Sequence, residues 1–570
     1  MSEQSRVGDR GDNNVRLGVN IIFSHHCQYW LIGLAFLFAV LLKMTLAVTD
    51  TVPFNADEAV VALMARHILQ GERPTFFYGQ AYMGSLDAWL TALGFAIFGI
   101  HVWVIRAVQG VIYIFILVTS YWMGKLVNRD GRVGLITLWL LVIPTINLVL
   151  YTTASLGGYG EALLIGNLLL IVGFLIVNDR DKKQRTPIWK WVLFGLLAGF
   201  GLWAFGLTLV FTIPMGSFII WRILSDRNTK DRLDAQDWQY YLRSIFLVAI
   251  GAMIGALPWW LYVIREGLNT PLVELGGSAI SGVEGLSWLA QVGQHLINLL
   301  LLGSTAIIGI RPPWSINWLV LPLIPLILAF WVMVIFHVVN RLRNGHWKKS
   351  NLIVLVGVIL TNILGFIIFP FGADPSGRYF LPMVVPMALL AADMILAWRI
   401  RFGVISYLAV VLLLAYNLIG TLQMAMKNPP GITTQFNAVS QIDHRRLPDL
   451  IAFLDAKGES RGYTNYWVSY PLAFLSQESL IYVPGLPYHE DFRYTSRDDR
   501  YPAYRDIVNK AEKIAYITTK HPTLEQHLRD QFRLHGITWQ EQRIGDYLVF
   551  YSLSEPIKVE EIGIWKSIPQ

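Results

Sequence analysis

Long apolar runs, separated by shorter polar segments, fill the chain from residue 29 to residue 426. Each run is close to the length of helix that crosses about 30 Å of hydrocarbon. The runs lie at positions 29–48, 105–124, 133–150, 160–177, 189–204, 206–222, 244–262, 315–339, 351–370, 379–398 and 403–424. The pattern predicts a polytopic α-helical membrane protein with about 11 transmembrane helices, in a range of 10–13.

Basic residues are distributed unevenly between the segments that join these runs. Five segments carry 19 Lys and Arg residues, whereas the alternate segments carry five. Because Lys and Arg accumulate in cytoplasmic loops, the chain is predicted to begin in the cytoplasm and to end outside the plasma (inner) membrane. Residues 1–28, polar and weakly patterned, are predicted to form a flexible cytoplasmic tail. Lys43, near the outer end of the first run, is predicted to extend its ammonium group to the interface.

One further apolar stretch, Gly84–Val104, is predicted to lie along the membrane surface as a juxtamembrane helix. A span here would place the next basic segment outside and reverse every later loop, and the stretch contains Asp87 and His101. It therefore belongs to a long first outer loop, residues 49–104. A second long outer loop is predicted at residues 265–314.

The composition becomes that of an ordinary globular sequence after the membrane part, residues 29–426, and Asn428-Pro429-Pro430-Gly431 is typical of a linker. Strands are predicted at Gly462–Tyr466, Leu480–Val483, Lys513–Thr518 and Tyr547–Leu553, and helices at Leu447–Ala456, Val468–Ser476 and Leu524–Leu534. Strands that alternate with helices predict that residues 427–570 form an extracytoplasmic α/β domain.

The overall composition supports this interpretation. The 570 residues are 54% hydrophobic and 15% charged, against about 25% charged in soluble domains, which excludes a soluble enzyme. The net charge of +7 is explained by the cytoplasmic loops, so no nucleic-acid partner is predicted. The single cysteine, Cys27, excludes an internal disulfide.

The first outer loop carries the most distinctive polar residues. Asp57 and Glu58 open an amphipathic stretch, and Asn55 or Asp57 could be its N-cap. Adjacent helical residues point about 100° apart, so the two carboxylates are not expected to face one substrate atom. Their place beside the membrane, in a loop rich in Tyr, Gln and Gly, also suits contact with a lipid head group and a polar acceptor.

Three segments carry a resemblance to a known family. Asp57-Glu58-Ala59, with the loop Gly71…Pro74…Tyr78-Gly79-Gln80…Gly84, resembles the first outer loop of GT-C glycosyltransferases, closest to the protein O-mannosyltransferase and aminoarabinose transferase branch. Ser155–Ala162 resembles the second acidic loop of the wider family. Arg378-Tyr379-Phe380-Leu381-Pro382 is similar to an Arg-Tyr-x-Leu-Pro stretch near the donor phosphate.

The resemblance implies a GT-C fold and transfer of a sugar, with inversion, from a polyprenyl-phosphate donor to an acceptor outside the membrane. It implies that one carboxylate acts as base, with Asp57 the first candidate and Glu58 the second. Arg378 and Tyr379 are the candidates for the donor phosphate. Arg265 and Arg311 are further candidates for it, although either could simply anchor its loop at the interface. Candidate substrate-binding residues are Glu161, Tyr78, Gln80, Tyr82 and Tyr159.

The expected partners are the donor, membrane lipids and an acceptor that is a protein, a lipid or a glycan. In oligosaccharyltransferases the second acidic loop binds a divalent metal through an Asp-x-Glu or Asp-x-Asp pattern, but here Gly160 precedes Glu161. No required cofactor or metal is therefore predicted.

The alternative function is that of a membrane transporter or lipid flippase. Such proteins often contain two related halves, broken helices and charged residues near the bilayer midplane. The candidate residues of this chain gather instead at one predicted membrane surface, which favours surface chemistry.

Overall fold

The computed structural model describes residues 25–128, 130–182, 184–225, 235–278, 287–344 and 351–564. Most of the predicted tail, residues 1–24, lies outside the described residues. The last four tail positions are already helical, because the first helix begins at His25.

Helices make up most of the part that precedes residue 426. In chain order they are α1 (His25–Val48), α2 (Ala56–Leu69), α3 (Leu86–Phe98), α4 (Val102–Asn128), α5 (Gly131–Val142), α6 (Ile146–Tyr151), α7 (Tyr159–Asp181), α8 (Ile188–Ala204), α9 (Leu209–Ser225), α10 (Ala235–Gly255), α11 (Leu257–Glu266), α12 (Asn269–Val273), α13 (Trp288–Asn298), α14 (Ser304–Ile307), α15 (Ile324–Arg343), α16 (Leu352–Ile368), α17 (Val384–Phe402) and α18 (Leu408–Ala425).

Among the described residues, six helices are long and apolar enough to cross a membrane. The pair α10 and α11, bent by 64°, would make a seventh, and α3, α5, α8 and α16 are shorter apolar helices. Every predicted run coincides with helix, but several are broken: the run at 133–150 divides at Pro144 into α5 and α6. The chain is thus a multi-pass helical membrane protein, while the count of eleven spans stays a prediction.

The closest helix packing joins α8 and α10. A Cβ atom added to Gly199 would lie 1.9 Å from the carbonyl oxygen of Ala252, and one added to Gly195 would lie 2.1 Å from that of Val248. Gly255, on the opposing helix, approaches the carbonyl oxygen of Leu196 in the same way. Small residues at such contacts allow helix backbones to approach within van der Waals distance in a bilayer, where little hydrophobic force draws helices together.

The first outer loop folds back over the helices. A short antiparallel hairpin, β1 (Phe76–Phe77) and β2 (Gln80–Gly84), follows α2, and its turn requires Gly79 at φ +69°. The predicted juxtamembrane helix is divided into α3 and the start of α4, because Gly99 ends α3. At 13 residues α3 is about 20 Å long, which is too short to cross the hydrocarbon.

The C-terminal part contains one mixed sheet. Its strands are β3 (Arg461–Thr464), β4 (Ile481–Pro484), β5 (Ala515–Thr519), β6 (Gln540–Ile544) and β7 (Tyr547–Tyr551), in the order β4-β3-β5-β7-β6. The order follows from parallel pairing of β3 with β4 and β5, and antiparallel pairing of β7 with β5 and β6. The helices are α19 (Leu447–Lys457), α20 (Tyr466–Leu475), α21 (Ala503–Asn509) and α22 (Pro522–Leu534). All four predicted strands overlap observed ones, and the unpredicted β6 is a polar, exposed edge strand.

The C-terminal part rests on the first outer loop. Helix α20 packs on α2, and the ring of Phe474 lies 5.5 Å from that of Phe54. Glu478 forms an ion pair with Arg66 at 3.2 Å, and its Oε1 atom lies 3.0 Å from His67 Nε2. The loop that carries Asp57 is therefore enclosed between membrane helices and the C-terminal sheet. Placement of this part outside the membrane stays a prediction.

The Gly199→Leu variant should strongly destabilise the protein, because a leucine side chain has no space against the backbone of α10. Overpacking typically costs about 1–3 kcal/mol. The measurement is the apparent melting temperature of the purified protein in detergent, followed by tryptophan fluorescence. Gly216→Leu is the matched control, since no atom lies within 4 Å of the added Cβ there. Equal melting temperatures for the two variants would contradict the packing argument.

Candidate active site

Asp57, the first candidate base, lies where the first outer loop meets the C-terminal part. Asn55, rather than Asp57, caps helix α2, since its side-chain oxygen accepts from the Glu58 backbone N–H at 3.1 Å. The Asp57 Oδ1 atom accepts from the hydroxyl of Tyr466 at 2.6 Å, and Oδ2 lies 3.4 Å from the hydroxyl of Thr434. Both partners come from the C-terminal part.

Glu58 is committed to a different interaction. Its side chain is fully buried and accepts from Arg106 Nε at 2.6 Å and Nη2 at 2.7 Å. Burial raises the pKa of the Glu58 carboxyl, and the charge of Arg106 only partly opposes this rise. The bidentate pair fixes α2 to α4 and argues for a structural role, so the second candidate base faces away from Asp57.

Arg378 lies in a turn whose shape is set by Asp374. Its Nη2 atom donates to Asp374 Oδ2 at 2.6 Å, and its guanidinium lies 5.0 Å from the centre of the Tyr379 ring. Asp374 also accepts from the backbone N–H of Ser376 at 2.7 Å. The Nε atom of Arg378 is buried and has no hydrogen-bond partner among the described residues.

Three predicted tyrosines meet in one aromatic cluster. We define this cluster as Tyr82, Tyr151, Tyr159, Phe205, Phe371 and Tyr379. Tyr82 lies 5.9 Å from both phenylalanine rings, Tyr159 lies 5.0 Å from Phe205, and Tyr379 lies 4.9 Å from Phe371. Burial raises the pKa of the Tyr82 hydroxyl. The positive charges of Arg378 and Arg500 oppose this rise, because both guanidinium groups lie near this side chain.

The other two candidate arginines do not join this group. Arg311 is buried and donates to backbone carbonyls, among them those of Leu302 at 2.9 Å and Pro375. Its burial lowers its pKa to about 10. Arg311 thus holds the turn that precedes Arg378 and has no donors to spare for a phosphate. Arg265 is exposed at the end of α11, away from the contacts described above.

Tyr78 and Gln80 contact the C-terminal part. The Tyr78 hydroxyl donates to Glu72 at 2.6 Å, and its ring stacks on that of Tyr501 at 5.0 Å. With its amide oriented to satisfy its neighbours, Gln80 accepts from Arg500 Nη1 at 2.8 Å and Nη2 at 3.0 Å. Tyr78 and Gln80 therefore both join the hairpin to the C-terminal part.

Glu161 belongs to a buried carboxylate pair with Asp87. The amide of Gln109 donates to Asp87 at 3.0 Å and to Glu161 at 3.3 Å, and Ser155 donates to Asp87 at 2.7 Å. These neighbours supply hydrogen-bond donors to the pair rather than further carboxylate or imidazole ligands. Within the described ranges no three His, Cys, Asp or Glu side chains form a metal-binding group. The residues therefore do not fit the divalent metal of the wider family, and the metal prediction itself stays untested.

Sequence reasoning missed the residues that the C-terminal part contributes. Tyr466 and Arg500 lie far along the chain from Asp57 and Gln80, and no short motif marks them. Nothing in the segment Gly462–Leu472 predicted a contact with the first outer loop.

Comparison with solved structures identifies chains of the same fold. ArnT from Cupriavidus metallidurans bound to undecaprenyl phosphate matches with a TM-score of 0.53 and 13% identity, over 90% of this chain and 97% of that chain. The same protein in the apo state gives a TM-score of 0.53 and 12% identity over the same shares. No protein-family model and no curated protein matches the sequence.

The protein therefore has the fold seen in these ArnT structures, which confirms the GT-C fold expected from the three sequence segments. At 12–13% identity this likeness establishes the fold alone.

The variant Glu58→Gln should destabilise the protein, since it leaves the buried guanidinium of Arg106 without a charged partner. Breaking such a pair costs about 3–5 kcal/mol. A lower apparent melting temperature in detergent is expected, while Glu266→Gln, at an exposed carboxylate, should melt like the wild type. A Glu58→Gln protein with unchanged melting temperature but no transferase activity would instead assign Glu58 a chemical role.

Proposed function

We propose that the protein is an inverting glycosyltransferase, which moves a sugar from a polyprenyl-phosphate donor to an acceptor at the outer face of the membrane. The observation that carries the proposal is the position of Asp57, held by Tyr466 at 2.6 Å, within a fold that one solved ArnT structure shows bound to undecaprenyl phosphate. The aromatic cluster and Arg378 supply surfaces for a sugar and a phosphate.

Asp57 acts as the general base in this proposal. An acceptor hydroxyl is a weak nucleophile until its proton is removed, and a carboxylate within hydrogen-bond reach can accept that proton. The oxygen then forms a bond to the anomeric carbon as the bond to the phosphate oxygen breaks. A single displacement inverts the configuration. Tyr466 orients the carboxylate through its hydrogen bond to Oδ1.

Arg378 stabilises the leaving group. Polyprenyl phosphate departs as an anion, so it needs a cation more than a proton donor. Asp374 holds one terminal nitrogen of Arg378 at 2.6 Å and so fixes the plane of the guanidinium. The buried Nε remains available to a phosphate oxygen. Tyr82, Tyr159 and Tyr379 belong to the aromatic cluster beside Arg378, and in this proposal their rings contact the sugar.

The side of the membrane on which the reaction takes place is part of the same proposal. Asp57 and Tyr466 place the base beside the C-terminal part, so the reaction takes place on the side of the membrane where that part lies. The distribution of basic residues supports an outer location for it and a cytoplasmic N-terminus. We therefore propose a multi-pass protein of the plasma (inner) membrane that acts at its outer face, with no required cofactor.

No observation among the described residues of the site favours the alternative function, that of a transporter or lipid flippase. Reconstitution in liposomes separates the two functions. Translocation of a labelled lipid without a new glycosidic product would support the alternative.

Replacement of Asp57 should remove transfer while leaving the fold intact. Asp57→Asn keeps the shape and the hydrogen bond from Tyr466 but cannot accept a proton. General-base catalysis contributes about 10²–10⁴-fold, so a product yield at least ~100-fold lower is expected by mass spectrometry. Asp50→Asn, at an exposed carboxylate of the same loop, is the control. Near wild-type product from Asp57→Asn would exclude Asp57 as the base.

Replacement of Arg378 should weaken use of the donor. Arg378→Gln removes a charged donor to the phosphate, and such hydrogen bonds contribute about 1.5–3 kcal/mol. The KM for the lipid-linked sugar should rise about tenfold or more, measured against Arg401→Gln, an exposed arginine near the end of α17. An unchanged KM would remove Arg378 from the donor site.

A further inference from the structure

Arg500 places a cation between the first outer loop and the C-terminal part. Its two terminal nitrogens donate to the amide oxygen of Gln80, at 2.8 and 3.0 Å. Its aliphatic stem packs on Gly79, where an added Cβ would lie 3.2 Å from Arg500 Cδ. Its guanidinium lies 5.5 Å from the centre of the Tyr466 ring. The Tyr-Gly-Gln turn of the hairpin thus forms a cradle for this side chain.

The guanidinium of Arg500 lacks a countercharge in direct contact. In the part of the chain that the structure describes, no carboxylate oxygen lies within 4.0 Å of its nitrogens. Its Nε atom is buried and has no hydrogen-bond partner there. Arg106 and Arg378, in contrast, pair with Glu58 and Asp374 at 2.6 Å. An enclosed cation without an anion is energetically costly unless a ligand supplies one.

The nearest carboxylates act on Arg500 only from beyond direct contact. The two oxygens of Asp57 accept from Tyr466 and Thr434 instead. Burial raises the pKa of Asp498 to about 7, so this group is partly protonated at neutral pH. Burial alone would lower the pKa of Arg500, but the nearby Tyr466, Asp498 and Asp57 raise it, and the guanidinium stays charged.

We propose that Arg500 binds an anionic group, a phosphate or a carboxylate, on the acceptor. The inference rests on the proposed function and identifies the acceptor as an acidic molecule. Tyr466 bridges the two groups, since its hydroxyl bonds to Asp57 and its ring faces Arg500. An acceptor whose hydroxyl reaches Asp57 therefore has its neighbouring substituents beside Arg500.

The donor phosphate is assigned to the other cation. Arg378 lies against Tyr379 of the aromatic cluster, and its buried Nε has no hydrogen-bond partner among the described residues. The two arginines thus correspond to two anions: the donor phosphate at Arg378 and the anionic group of the acceptor at Arg500. Loss of Arg500 should therefore affect recognition of an acidic acceptor while leaving donor binding intact.

The test uses the full-length protein in detergent and measures the binding of two probes. Glycerol 3-phosphate, which carries a hydroxyl and a phosphate, represents the acceptor, with glycerol as its neutral counterpart. Undecaprenyl phosphate represents the donor carrier. The variants are Arg500→Gln, Arg378→Gln and the control Arg533→Gln, at an exposed arginine of α22.

We expect saturable binding of glycerol 3-phosphate, but not of glycerol, to the wild type. Arg500→Gln should weaken this binding at least tenfold and change undecaprenyl phosphate binding less than twofold, whereas Arg378→Gln should do the reverse. If Arg500→Gln does not fold, Arg500→Lys keeps the charge but loses the paired contact with Gln80, and a loss of at least threefold is expected.

Absence of glycerol 3-phosphate binding to the wild type, or equal binding to the wild type and the Arg500 variant, would overturn the proposal. A tenfold loss of undecaprenyl phosphate binding in Arg500→Gln would also overturn it, by assigning Arg500 to the donor. Failure of the wild type to bind undecaprenyl phosphate would contradict the proposed function. This outcome is distinct from the glycerol 3-phosphate result, because the two probes are measured separately.

Discussion

The hydrogen bond between Asp57 and Tyr466 joins residues that are 409 positions apart, and the arrangement of the candidate site depends on it. It requires the C-terminal sheet to sit on the first outer loop, where Phe54 and Phe474 pack and Glu478 contacts Arg66 and His67. Helix α2 thereby packs against the C-terminal part on one side and is joined to α4 on the other side by the Glu58–Arg106 pair.

Two adjacent carboxylates can perform different tasks because successive helical residues point about 100° apart. Glu58 faces the membrane helices and stabilises α2, while Asp57 faces the C-terminal part and is the proposed base. A rigid helix that presents one carboxylate and anchors the other suits catalysis, since a base is effective only at a fixed distance from the proton that it removes.

The sequence alone predicted the helical membrane architecture, the strands of the sheet other than β6, and the aromatic and basic groups near Arg378. These follow from local apolar patterns and short motifs. It did not anticipate that the Lys43 side chain donates to Thr152 and Thr153, at 2.6 and 2.7 Å. It did not anticipate the buried Asp87–Glu161 pair or the partners Tyr466 and Arg500. These contacts join distant segments, so no local pattern contains them.

The central claim, a single displacement at the anomeric carbon of a polyprenyl-phosphate sugar, is tested most directly by the stereochemistry of the product. The purified protein would be incubated with undecaprenyl-phosphate sugars of known anomeric configuration, and the product would be examined by proton NMR. The account predicts release of undecaprenyl phosphate and a glycosidic bond of inverted configuration. A product of retained configuration would contradict it.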